Sequence, residues 1–205
     1  CAAGGVMRER GILFSAPMVR AILAGTKTQT RRALRDGTWL DPELGVIRMC
    51  SVGPGVTGYQ EVACPYGAPG DRLWVREAWR STGDDGRCDD MPPRDMQAHQ
   101  VWYEADGKAP ADELVGKLRP GMFMPRWASR ITLEVVSVRV ELLQDISDDA
   151  CEAEGAREWA SEVVSNGNKF SSIRAAYQAL WESINGAGSW DLNPWVWAVE
   201  FRRIA

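Results

Sequence analysis

The chain has 205 residues, 45% of them hydrophobic and 25% charged, with a formal net charge of −4. That composition fits one globular domain and excludes collagenous and wholly disordered readings, and no apolar run reaches the roughly 20 residues that cross a bilayer. The mild excess of acid disfavours life on duplex DNA through bulk electrostatics. Residues 1–6 precede Met7 and lack the charged and apolar regions of a signal peptide. They are expected to be an upstream remnant, with a single domain over 7–205.

Ile12, Leu13 and Phe14 predict a short strand. Ser15 followed by Pro17 predicts a capped helix start, Val19, Ile22 and Leu23 give its apolar stripe, and Gly25 ends it. Thr26–Arg32 alternates polar and β-branched residues, as a strand leaving a turn would. Residues 36–68 are rich in Gly and Pro with weak periodicity and read as a surface loop. Pro69-Gly70-Asp71 then turns into a strand over Arg72–Trp79, a polar insert follows over 81–97, and Val101–Glu104 is a further strand. Between Arg130 and Leu142 the apolar parity flips near Val136 and Ser137, so a bulge or break belongs there. Ser147 should cap a helix through the acidic run to Glu154. Phe170, Ile173, Tyr177, Leu180, Trp181 and Ile184 lie at helical spacing, closed by Asn185-Gly186, and Pro194 starts a last strand with Trp195, Trp197, Val199 and Phe201 on one face. Strands interrupted by three helices without a βαβ rhythm give a mixed, barrel-like α+β domain.

The residue counts limit the chemistry. One histidine, His99, rules out multi-histidine metal sites, and no Gly-x-Ser-x-Gly elbow accompanies it. Five cysteines (Cys1, Cys50, Cys64, Cys88, Cys151) are odd in number, widely spaced and without a Cys-x-x-Cys pair. They suit reduced thiols in a cytoplasm, with Cys64 and Cys88 as ordinary buried thiols, and neither metal nor cofactor is expected. Gly25-Thr26-Lys27-Thr28 lacks the first glycine and the Gly-Lys adjacency of a phosphate-binding loop. The charge is unevenly spread: Arg8–Arg35 holds seven basic residues against one acid, and Glu141–Glu162 holds eight acids against Arg157. These are either two solvated faces or a basic pocket wall closed by an acidic segment that brings a carboxylate to a lysine.

The segment Ile22-Leu23-Ala24-Gly25-Thr26-Lys27-Thr28-Gln29-Thr30-Arg31-Arg32 resembles the signature of the ASCH domain family, whose fold is similar to that of the PUA domains. Pro69–Glu77, Arg130–Gly155 and Trp195–Ile204 resemble further parts of that pattern, and roughly half the chain is covered. Inserts near 37–68, 81–125 and 157–168 lie outside it and look like those of longer, phage-type members. The resemblance implies a PUA-like mixed β-barrel with flanking helices and long inserted loops. It also implies, from small members that deacylate N4-acetylcytidine, an amidohydrolase site: Lys27 as the lysine, Thr30 as the threonine, and Glu154 as the glutamate, with Glu152 one step away. Two rivals are a non-catalytic reader of RNA or modified nucleotides and a ribonuclease using Lys27 and the arginines.

A threonine hydroxyl becomes nucleophilic when a base takes its proton, and a lysine serves as that base when burial or a nearby cation lowers its pKa. Arg31 and Arg32 would help to supply that field. Residues 27 and 30 point to opposite faces of a regular strand, so Lys27 must lie in the turn or reach around it. Among ten tryptophans, Trp74 and Trp79 are candidates for stacking on a base, with Arg76 and Glu77 as contacts to its edge. The partners expected are a nucleoside or nucleobase, RNA as an alternative, and no membrane.

Overall fold

The computed structural model describes residues 7–35, 37–41, 43–53, 56–82, 89–109, 115–164 and 170–205. Its centre is a five-stranded sheet. β1 (Glu9–Leu13) pairs in parallel with β6 (Arg72–Arg76), and β6 pairs antiparallel with β9 (Thr132–Leu142). β9 pairs antiparallel with β10 (Trp195–Arg203), and β10 with β2 (Gln29–Ala33), giving the order β1-β6-β9-β10-β2. The mixed α+β architecture is as expected, but no sheet closes into a barrel among the described residues. β1 and β2 remain its edges, and the Arg32 side chain of β2 donates to the Leu13 carbonyl of β1 at 2.6 Å.

The bulge falls where the parity flips: Glu200 faces Ser137 and Phe201 faces Val135, which leaves Val136 as the extra, outward-turned residue of β9. Either side of it, alternate residues of β9 and β10 bury Leu133, Val135, Val199 and Phe201.

Four helices flank this sheet. α1 (Ala16–Ala24) follows an extended Ser15 whose side chain makes no capping bond; the proline sits in its first turn, and Gly25 ends it with a left-handed φ of 78°. α2 (Asp148–Ala153) is capped as expected, Ser147 Oγ accepting from the Ala150 amide. α3 (Ala156–Val164) stands where an insert was expected from residue 157, and it is tied to α1 by the Arg20–Glu162 pair at 2.7 Å. α4 (Ile173–Asn185) buries Ala176, Tyr177, Leu180 and Trp181, while Ile184 is half exposed.

Two expectations are corrected. The presumed loop over 36–68 is largely an antiparallel meander of β3 (Thr38–Asp41), β4 (Val46–Gly53) and β5 (Val56–Glu61). Its Gly and Pro residues punctuate hairpin turns between runs that include Trp39, Val46, Ile47 and Tyr59, and Ile47 reaches the main core. The strand expected over Arg72–Trp79 breaks at Glu77 and Ala78; β7 (Trp79–Ser81) pairs instead with β8 (Val101–Tyr103).

The two-stranded β7–β8 sheet has its own small core of Trp79, Met96, Met124 and Ala128, with Trp127 edge-on to Trp79. His99 lies in the same quarter, its ring against Trp127 and its Nδ1 2.8 Å from the Gln97 carbonyl oxygen. Cys64 and Cys151 are buried free thiols, whereas Cys88 and residues 1–6 lie outside the described residues.

Candidate functional site

Lys27 lies in the turn between α1 and β2, one of the two placements that the opposite-face argument allowed. Its amide and that of Thr26 donate to the Ala21 carbonyl (3.1 and 3.0 Å), and Thr28 donates to Ala153 at 2.9 Å. The turn is thereby clamped between two helix ends. Gly155, at φ 77°, leaves room for it, because a Cβ there would meet Ala21 Cβ at 3.3 Å and Lys27 Cβ at 3.4 Å.

The pairing of β2 explains what the lysine touches. Phe201 N–H donates to the Thr28 carbonyl and Leu34 N–H to the Trp195 carbonyl. Residues 28, 30, 32 and 34 therefore address β10, and Gln29, Arg31 and Ala33 turn their backbone groups to the open edge. The Lys27 ammonium caps that edge. It donates to the Gln29 carbonyl (2.8 Å), the Glu154 carbonyl (2.7 Å) and Glu154 Oε2 (3.0 Å), and lies 5.5 Å from the centre of the Phe14 ring.

Lys27 is 2% exposed and Glu154 3%. Burial pushes the Lys27 pKa below the ordinary lysine range; the Glu154 carboxylate opposes that shift, and the Arg31 and Arg32 charges add to it. Glu154 also accepts from Arg31 Nη1 at 3.1 Å. Arg31 continues to Gln29 Oε1 (2.6 Å) and Glu141 Oε1 (2.7 Å), and Glu141 to Arg139 (2.9 Å). The result is a ladder of alternating charges across β2, β10 and β9.

Thr30 is buried beside this ladder. It lines a cavity of about 50 Å³ together with Glu154, Arg31, Tyr177, Trp181 and Ile184. The structure thus brings Lys27, Arg31 and Glu154 into contact and sets Thr30 on the same cavity as Glu154, while none of the three Lys27 hydrogen bonds goes to Thr30. Of the two neighbouring acids, Glu154 is the buried partner; Glu152 pairs with Arg157 at the surface.

The expected stacking group lies elsewhere and is divided. Glu77 is 1% exposed and gripped by Arg130 through two bonds of 3.1 Å, with Arg130 also holding Asp106 at 2.8 Å. Trp79 is fully buried, so its faces are taken by the protein. Trp74 is half-buried with Arg76 5.3 Å and Arg126 6.0 Å from its ring centre. Arg32 sits over Phe14 at 5.5 Å. One backbone bond joins the two regions: Phe14 N–H donates to the Arg76 carbonyl at 3.1 Å.

Gln29, Glu141 and Tyr177 belong to the site although sequence reasoning passed over them. The alternation of Lys27, Gln29 and Arg31 was a usable signal for the first; the other two are reached only through strand pairing and the packing of α4. Among the described residues no three His, Cys, Asp or Glu side chains gather as a metal site would need, and no helix is long and apolar enough to cross a membrane. Comparison with protein-family models, curated proteins and solved structures finds no match for the chain.

Proposed function

We propose that this chain is an amidohydrolase that removes the acyl group from N4-acylated cytosine nucleosides, with Thr30 as nucleophile, Lys27 as proton carrier and Glu154 as the positioning carboxylate. On this reading the domain is an enlarged ASCH-type, PUA-like fold whose sheet is left open. The observation that supports it is a fully buried lysine, depressed in pKa, held by a buried glutamate at the end of the strand that carries a buried threonine.

In the proposed reaction, neutral Lys27 takes the Thr30 hydroxyl proton as the oxygen attacks the acyl carbon. The C–N bond breaks, the proton passes from Lys27 to N4 of cytosine, and an acyl ester remains on Thr30. Water then attacks that ester with Lys27 again receiving the proton, which releases the carboxylic acid and restores the hydroxyl. Glu154 and the Gln29 carbonyl hold the amine throughout.

A cavity of about 50 Å³ has room for one or two waters at roughly 30 Å³ each, not for a base. The reading therefore requires the α4 wall, Trp181 and Ile184, to move outward on substrate entry. Acid quench during turnover of N4-acetylcytidine, followed by peptide mass analysis, tests the proposal: an acetyl ester on Thr30 is expected. Release of acetate without any covalent adduct, from an enzyme indifferent to Thr30→Ala, would overturn the assignment. The rivals give different products: a ribonuclease yields cleaved oligonucleotide, and a pure reader yields none.

A further inference from the structure

A second cavity lies away from Lys27. Its volume is about 670 Å³, and the walls are Pro92, Pro93, Leu118, Pro120, Met122, Phe123, Met124 and Pro125 with Arg76, Arg94, Lys117 and Arg119. Among the described residues four cations line it and no acid does, in a chain whose net charge is −4. Carboxylates stand nearby but are engaged: Asp89 accepts from the Lys117 amide at 2.9 Å and lies 3.9 Å from Arg119, and Asp95 is 3.7 Å from Arg94. Among the described residues no carboxylate pairs with the side chain of Arg76 or Lys117.

The cleft is also preformed. Arg119 and Trp79 exchange backbone hydrogen bonds of 2.8 and 3.0 Å, which anchors the segment to β7. Gly121 rests on the backbone of the Arg76–Glu77 break, where an added Cβ would lie 3.0 Å from the Arg76 carbonyl oxygen. Four prolines stiffen the walls. On this fixed frame Leu118, Met122 and Phe123 are each about half exposed, an apolar surface that water alone does not explain.

We infer that this cleft binds a nucleotide unit, its phosphate held by Arg76, Arg94 and Lys117 and its base laid on Phe123 and Met122. The guanidinium fork matches phosphate oxygens, a flat base matches an exposed aromatic face, and the volume lies in the range of small-ligand sites. The unit comes either as a free nucleotide or as part of a single strand. The inference does not depend on turnover at Thr30, so its failure and that of the hydrolase reading are separable.

The test is fluorescence anisotropy of the full chain with a labelled single-stranded octanucleotide, competed by AMP, adenosine and polyglutamate. Binding that weakens with salt, with AMP competing better than adenosine and polyglutamate, supports a nucleotide site; a strand that binds while millimolar AMP fails to displace it assigns the strand as the source. Arg94→Glu with Lys117→Glu, both at exposed positions, is expected to weaken binding at least tenfold, and Phe123→Ala roughly fivefold to a hundredfold, with unchanged thermal midpoints. No binding, equal competition by polyglutamate, or full affinity in the charge-reversed variant would overturn the inference.

Discussion

The Lys27–Glu154 cluster and the Arg76 cleft both gather positive side chains, yet they dispose of the charge in opposite ways. In the cluster the two buried cations share one carboxylate: Glu154 binds Lys27 at 3.0 Å and Arg31 at 3.1 Å, and the chain of pairs runs on to Glu141 and Arg139. In the cleft Arg76 and Lys117 face an apolar wall without a carboxylate partner among the described residues. Burial accounts for the contrast, since a charge removed from water must be paired while a charge at a cleft rim stays hydrated until a ligand takes that place. Counting basic residues along the chain does not distinguish the two; their partners do.

The contrast can be broken most sharply at Glu154. Glu154→Ala leaves Lys27 and Arg31 buried without their shared counter-charge, and urea unfolding should show a loss of about 3–5 kcal/mol. Next comes Lys27→Met, which uncaps the Gln29 and Glu154 carbonyls and should lower stability by about 1–3 kcal/mol.

That variant also carries a pH signature. Because burial holds the Lys27 pKa below its ordinary value, the unfolded chain binds more protons than the folded one between those two values, so wild-type stability rises with pH across that window and falls as pH drops through it. Lys27→Met removes the rise, and parallel unfolding curves from neutral to alkaline pH would reveal it. Identical pH slopes would mean that Lys27 is not depressed.

A milder perturbation is Gly155→Ala, which places a side chain at φ 77° against Ala21 and Lys27 and is expected to lower stability by about 1–2 kcal/mol in the same assay. Smallest of all, Arg94→Glu with Lys117→Glu should leave stability within about 0.5 kcal/mol, because both side chains are exposed.

Local signals carried much of the frame. The Ser147 cap, the α4 stripe, the Gly25 stop and the parity flip at Val136 are short-range patterns, and each appears in the structure. The β3-β4-β5 meander was hidden because its turn residues dominate the composition, and the strands between them show no clean alternation. The break after Arg76 follows from Glu77 being pulled to Arg130, 53 residues on, a partner no local window contains. Likewise the 670 Å³ cleft is assembled from two segments around residues 92–94 and 117–125 plus one strand end. In the site, Lys27 was reached through a motif and Glu154 through the family resemblance, whereas the Arg31–Glu141 link, 110 residues apart, came only with strand pairing.

The central claim is that Thr30, served by Lys27, attacks an acyl carbon. Its most direct test is the rate at which purified protein converts N4-acetylcytidine to cytidine, followed by ultraviolet absorbance, beside Thr30→Ala and Lys27→Met. The account predicts turnover by the wild type, rising with pH through the depressed Lys27 pKa, and a loss of about 10²- to 10⁴-fold in each variant. A wild type that leaves the amide intact, or a folded Thr30→Ala that retains the full rate, would contradict it.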